Sequence, residues 1–237
     1  MWIDGHWYLV TSWLEGRHPA DLPPSRCAEL GTLAGRLHRA LAELCPPAPA
    51  HLADVPESIS KAKSRLIAYA EKPCTEEFDR RAQREIAWRL TTMEALADQR
   101  PDDRDLEPCG WTHGDLQPFN LLVDDEGSVT GVLDWDRLGI RPYGLEVVRT
   151  ATITFDRSLT RIAAFVRGYR AQIPITAAQL ADAADRRWWT LLTEEWPLNR
   201  HYDDNDRSCD HLFFRRAEYL RWWTAHREAV TDALAAG

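Results

Sequence analysis

The chain has 237 residues, 44% of them hydrophobic and 28% charged, a balance that suits a folded globular protein with room for a sizeable core. A net charge of −8 without a dominant basic patch argues against a nucleic-acid partner, and no apolar run is long enough to span a membrane or shaped like a signal peptide. The five cysteines (Cys27, Cys45, Cys74, Cys109 and Cys209) are scattered and form no C-x-x-C pair, which speaks against a disulfide framework or structural zinc site and fits a reducing cytoplasm.

In chain order, residues 6–12 are β-rich and apolar and end in the turn-prone run Glu15-Gly16-Arg17-His18-Pro19. A helix is expected over 25–44, with Ser25 as its N-cap and an apolar stripe at Cys27, Leu30, Leu33, Ala34, Leu37, Leu41 and Leu44. Pro46-Pro47 stops it. His38 lies on this helix and reads as a packed or surface histidine. A Pro- and Ala-rich loop covers 46–56. Helices over 59–70 and 76–98 follow, the second with a stripe of Phe78, Ala82, Ile86, Leu90 and Met93 opposite a face of alternating Glu and Arg. Residues 99–108 are charged and turn-like.

The next stretch carries the chemistry. Trp111-Thr112-His113-Gly114-Asp115 is followed by four residues and Asn120, and then by two short apolar runs around the turn Asp124-Asp125-Glu126-Gly127-Ser128. This reads as a β-hairpin. Asp115 and Asn120 stand just before the first run, and Asp134 closes the second. A hairpin brings its outer ends together, so three oxygen-bearing side chains converge, an arrangement suited to Mg²⁺. The spacing also follows the H-R-D-x-x-x-x-N and later D-F-G of protein kinases.

Beyond Asp136, which reads as the cap of the following turn, the chain looks all-helical, over about 146–155, 157–171, 177–200 and 209–235. Asp204-Asn205-Asp206 hints at a calcium loop but lacks the turn glycine and the closing glutamate, a place taken by Arg215.

His113-Gly114-Asp115 through Asn120 and Leu133-Asp134-Trp135 resemble the H-G-D-x-x-x-x-N and [IL]-D-[WF] elements of the aminoglycoside phosphotransferase and choline kinase family. The resemblance implies an α+β, predominantly helical fold: the C-terminal lobe of a protein-kinase-like fold, with the catalytic and metal residues on a small β-hairpin. It implies Asp115 as base or orienter for an acceptor hydroxyl, and Asn120 and Asp134 as ligands of Mg²⁺ beneath the phosphates of ATP (or GTP). The phrase Trp13-Leu14-Glu15-Gly16 resembles the end of the family's small lobe, so Ser12, Trp13 and Leu14 would offer a hinge to the adenine. Leu33-Ala34-Gly35-Arg36-Leu37-His38 resembles the helix after that hinge. The family's "G-x-P-x-x-D-L-A" acid, which buttresses the catalytic loop, is replaced by Glu146, one residue late and one methylene longer, and Glu146 is left unassigned.

The resemblance covers residues from about 8 onward and sets the domains as 1–16, a residual small-lobe strand and hinge, and 17–237, the large lobe. That lobe holds the catalytic hairpin at 111–136 and acceptor-side helices over 146–237. A Gly-rich loop and a V-x-K strand are missing: Lys61, Lys63 and Lys72 are the only lysines and sit in a helical stretch. A truncated, split or remnant enzyme are the open explanations, and a homodimer or a complementing small-lobe chain is the implied macromolecular partner. The implied reaction is ATP- and Mg²⁺-dependent phosphoryl transfer to a small hydroxylated amine of aminoglycoside or choline type. The alternative is a catalytically inactive ligand-binding or regulatory module. Glu194, Glu195, Trp196, Asp203, Asp204 and Asp206 are the residues expected to attract a cationic acceptor, by charge and by cation–π contact.

Overall fold

The computed structural model describes residues 2–4, 6–7, 12–19, 24–47, 51–52, 59–102 and 105–236. These are mostly helical, with strands grouped as two-stranded antiparallel ribbons. β1 (Trp2–Ile3) pairs with β2 (His6–Trp7). The strand expected over 6–12 is seen only at its start, since residues 8–11 lie outside the described ones. An irregular segment over 12–19 leads towards α1 (Pro24–Leu44). After β3 (His51–Leu52) come α2 (Ile59–Ala70) and α3 (Glu77–Ala95), then β4 (Asp105–Leu106), which pairs with β3. The motif region supplies β5 (Cys109–Thr112), β6 (Leu121–Val123), β7 (Val129–Val132) and β8 (Gly139–Pro142). Six helices follow: α4 (Tyr143–Phe155), α5 (Leu159–Arg170), α6 (Ala177–Thr193), α7 (Trp196–Tyr202), α8 (Asp210–Ala225) and α9 (Arg227–Ala235).

Local chemistry explains most of these bounds. Asp79 accepts from the backbone N–H groups of Thr75 and Glu76 at 2.7 and 2.9 Å and so closes the start of α3. Thr176 and Gln179 form a reciprocal capping box at α6. The helix expected over 177–200 is two helices, because the chain opens at Glu194-Glu195 and Pro197 sits in the first turn of α7, where its missing N–H costs nothing. The helix expected over 209–235 also breaks, at His226. No glycine or proline marks that break; the His226 N–H folds back to the Trp222 and Trp223 carbonyls and ends α8. The expected helix over 76–98 tightens into a 3-10 turn at Ala97–Gln99. α4 starts three residues earlier than expected, directly after Pro142, which closes β8.

A continuous core is built from α1, α4, α5, α6 and α9, with α2, α3 and α8 packed against it. Trp188, Trp189 and Trp223 are fully buried within it. Among the described residues no helix is long and apolar enough to cross a membrane, and no disulfide links the cysteines. The tightest joint is α1 on α5. A Cβ at Gly31 would collide with the Phe165 carbonyl oxygen, and one at Gly168 with the Ala28 carbonyl oxygen. Thr32 Oγ1, which donates to the Ala28 carbonyl at 3.0 Å, lies 3.3 Å from that of Gly168. The two backbones therefore touch.

Gly31→Ala and Gly168→Ala should each lower stability by about 2–3 kcal/mol, since overpacking against a carbonyl outweighs the roughly 1 kcal/mol that alanine gains in helix propensity. Gly35→Ala should cost less, because its nearest neighbours are atoms of the Gln172 side chain. Urea midpoints at unchanged slope test the ranking.

Candidate active site

The hairpin is present as expected. β6 and β7 pair Leu121 with Val132 and Leu122 with Gly131. Their turn is closed by Asp124 Oδ1, which accepts from the N–H groups of Glu126 and Ser128, with Gly127 at φ +80°. A second pairing was not legible beforehand. β5 lies antiparallel to β8, with Thr112 opposite Gly139. The loop after β5 and the bend after β7 are thus held face to face. Arg141 ties them further, donating to Thr112 Oγ1 at 3.1 Å and to the Arg137 carbonyl at 2.8 Å.

Within this frame the loop 113–120 is built by hydrogen bonds. His113 is buried, accepts from the Asp115 N–H on Nδ1 at 3.2 Å and lies 2.9 Å from the Leu133 carbonyl on Nε2. A nitrogen that accepts a backbone N–H carries no proton, so the imidazole is the Nε2–H tautomer and donates to Leu133. Asn120 is buried; its side-chain NH₂ donates to the Asp115 carbonyl at 2.8 Å, and its main-chain carbonyl accepts from the Leu133 N–H at 2.8 Å. With the NH₂ spent on the loop, the amide oxygen is the end that can turn to a cation. Asp134 follows Leu133 directly, is exposed, and takes a left-handed conformation at φ +61°. Asp115, Asn120 and Asp134 therefore sit on two facing loops joined by backbone bonds. All three are oxygen donors, the set a hard divalent cation takes. Asp136 is exposed in the turn after Trp135.

The loop is clamped from below by α4. The Gly114 N–H donates to Glu146 Oε1, Arg149 Nη2 lies 2.5 Å from Asp115 Oδ1, and Thr150 Oγ1 donates to the Leu116 carbonyl at 2.9 Å. Residues 146, 149 and 150 share one helical face, and they hold three consecutive loop residues. Glu146, whose role the sequence left unassigned, is thus the loop's buried anchor. Its second oxygen bonds His38 Nε2 at 2.6 Å, and His38 Nδ1 meets the Tyr169 hydroxyl at 2.8 Å. His38 is fully buried and stacks on Tyr143 at 4.3 Å. Burial alone would raise the Glu146 pKa; the His38 bond and charge and the Gly114 N–H outweigh it and hold the carboxyl below its ordinary value. Burial, with Tyr143 and Glu146 nearby, holds the Tyr169 phenol far above its ordinary value. Gly114 is required here twice over: it has φ +82°, and a Cβ would strike the Arg137 carbonyl.

The segment 12–19 crosses the hairpin. The Glu15 carbonyl accepts from Thr130 Oγ1 at 2.9 Å, Arg17 exchanges two backbone bonds with Val123, and His18 Nδ1 meets the Leu121 carbonyl at 3.1 Å. Ser12, Trp13 and Leu14 are exposed, Trp13 at 84%.

The six residues expected to attract a cationic acceptor are not brought to Asp115 as free acids. Glu194 is ion-paired with Arg216, and Glu195 with Arg65. Trp196 faces the Arg216 guanidinium at 5.1 Å. Asp203 accepts from Tyr69 at 2.5 Å and lies 3.8 Å from Lys72. Asp204 and Asp206 both pair with Arg200. Glu76, Asp79 and His201 have ligand-type atoms within 4.8 Å of one another. They are committed to a clasp between α3 and α7, in which Tyr202 donates to Asp79 and Arg207 pairs with Glu76. A cleft lined by Leu106, Pro108, Pro142, Leu145, Ile175 and Ala178 shares no residue with the 113–120 loop.

Because the Glu146 pKa is depressed in the fold, its contribution to stability is complete above the ordinary carboxylate pKa, at about pH 5 and higher, and is lost as pH falls through its lower folded value. Glu146→Gln should therefore be less stable than wild type by about 2–4 kcal/mol at pH 7, with the gap narrowing in acid. Denaturant titrations from pH 3 to 7 check this.

A model of the Phosphotransferase enzyme family matches residues 3–189. The protein named clavilactone A biosynthesis cluster protein Y, from Ampulloclitocybe clavipes, is 39% identical over 70 residues, which is 28% of this chain and 17% of that protein. Among solved structures, a spectinomycin phosphotransferase in complex with ADP and spectinomycin aligns with a TM-score of 0.56 at 15% identity, over 95% of this chain and 69% of that one. An aminoglycoside phosphotransferase from Alicyclobacillus acidocaldarius aligns at 0.53 and 15%, over 94% and 68%. An amicoumacin kinase with AMP-PNP and Ca²⁺ aligns at 0.51 and 16%, over 90% and 64%. The match thus spans under a fifth of the curated relative's length, and the alignments about two thirds of these solved chains. At such identities the structures establish the fold, which is kinase-like, and with a family model covering most of its length the chain belongs to the Phosphotransferase enzyme family.

Proposed function

We propose that the chain transfers a phosphoryl group from ATP to a small-molecule alcohol, with Asp115 as the residue that receives the acceptor's hydroxyl. The observation that supports this most directly is the bonding of Asn120 to both loops: its side-chain NH₂ to the Asp115 carbonyl and its main-chain carbonyl to the Leu133 N–H. These bonds keep Asp115, Asn120 and Asp134 in one place without help from a ligand. Asn120 and Asp134 are oxygen donors of the kind Mg²⁺ requires, and the bound ion would offset charge on the nucleotide phosphates.

In this reading the acceptor oxygen forms a bond to the γ-phosphorus as the bond from that phosphorus to the β-bridging oxygen breaks. ADP leaves, and the hydroxyl proton passes to Asp115. Catalysis by the protein is then positioning, and the α4 clamp on residues 114–116 is what fixes the position. Ser12, Trp13 and Leu14 are read as the edge that meets the nucleotide base; their tie to the hairpin through Glu15 and Arg17 supports this. The acceptor suggested by resemblance is a hydroxylated amine. The ion pairs on Glu194, Glu195 and Asp206 weigh against that finer reading.

Calorimetry with ATP and Mg²⁺ tests the proposal. Binding at millimolar concentration or tighter is expected, and Asp115→Asn should lower kcat at least 100-fold while nucleotide affinity stays within about threefold. No nucleotide binding, or an Asp115→Asn variant with full activity, would remove it.

A further inference from the structure

The helices beside Asp115 carry more positive charge than they use. Arg149 on α4 is ion-paired with Asp115, and Arg216 on α8 with Glu194. Arg187 on α6 lies within reach of the same charges: Glu194 favours its charge, and Arg149 and Arg216 oppose it. α6 packs on both α4 and α8, the helices that carry Arg149 and Arg216. Two carboxylates thus face three guanidiniums. Two donors in this group, Arg149 Nη1 and Arg187 Nε, are buried and have no hydrogen-bond partner. A buried N–H left unpaired is costly. Burial first, and the neighbouring arginines after it, lower the Arg187 pKa to about 10, which still leaves it charged at neutral pH.

We infer that Arg149, Arg187 and Arg216 form a binding site for an oxyanion beside Asp115, and that the acceptor alcohol carries a carboxylate or phosphate group which occupies it. Guanidinium is the side chain suited to this task, because its fork matches both oxyanions and it resists deprotonation when buried. An oxyanion would meet the two open donors and neutralise the surplus charge. It would also hold the acceptor's hydroxyl next to the Asp115 carboxylate, since Arg149 touches both. The acceptor half of this inference rests on the phosphotransferase reading of Asp115; the anion site itself does not.

The test titrates the full chain with inorganic phosphate at constant ionic strength, with sodium chloride and choline as controls, and reads thermal unfolding. Saturable stabilisation by phosphate is expected, with none from choline. Arg149→Gln should weaken phosphate at least 10-fold, whereas Arg149→Lys, which keeps the charge, should weaken it less; circular dichroism confirms that both fold. Phosphate should still bind when AMP-PNP and Mg²⁺ are saturating. No saturable effect beyond chloride, an unchanged response in Arg149→Gln, or stabilisation by choline instead would overturn the site. Displacement of phosphate by AMP-PNP would assign the anion to the nucleotide's γ-phosphate position and overturn the acceptor reading. Failure of AMP-PNP to bind would count against the phosphotransferase reading, while the phosphate titration decides the anion site on its own.

Discussion

The bond from the Gly114 N–H to Glu146 governs the site more than any other contact. A loop that must present Asp115 has a backbone with few partners of its own, and an unsatisfied buried N–H is expensive. α4 answers this with three side chains on one face, reaching residues 114, 115 and 116 in turn. Glu146 is in turn held by His38 from α1, and His38 by Tyr169 from α5. The chain of contacts runs from the helical core to the loop without a break. The two His38 links are buried and the Gly114 link half-buried, where hydrogen bonds are strong and vacancies costly.

Much of this was readable in the sequence, for identifiable reasons. The hairpin and its turn were legible because Asp124, Gly127 and the flanking apolar runs are local signals. That Asn120 and Asp134 stand at the neighbouring outer ends of the hairpin followed from hairpin geometry. Glu146 was not legible as the anchor, because its place is offset by one residue from the usual pattern. His38 looked like any helix histidine until α5 was seen to pack against it. The β5–β8 pairing was hidden because its strands are separated by the whole motif, and Gly139-Ile140-Arg141-Pro142 carries little strand signal. The spacing of Glu146, Arg149 and Thr150 was a usable clue to a working helix face.

The acid residues near the C-terminus show a different limit. Composition counts charges without showing which are spent. Glu194, Glu195, Asp203, Asp204 and Asp206 all have basic partners in the fold. Arginine also covers aromatic faces: Arg221 lies over Trp88 and Arg227 over Trp188, at 4.2 and 4.4 Å. In a chain whose cations are nearly all arginine, acids and aromatic rings that look like a pocket for a foreign cation are largely served from within.

The glycines at the α1–α5 joint bear on the loop as well. His38 and Tyr169 lie on these two helices, His38 about two turns beyond Gly31 and Tyr169 next to Gly168. Contact between main chains has almost no compliance, unlike contact between side chains that can change rotamer. Gly31 and Gly168 therefore act as a gauge block: they set the separation of the helices, and so the height at which His38 meets Glu146. The calibration of the catalytic loop is carried by two residues without side chains, in a joint that touches neither Asp115 nor the hairpin.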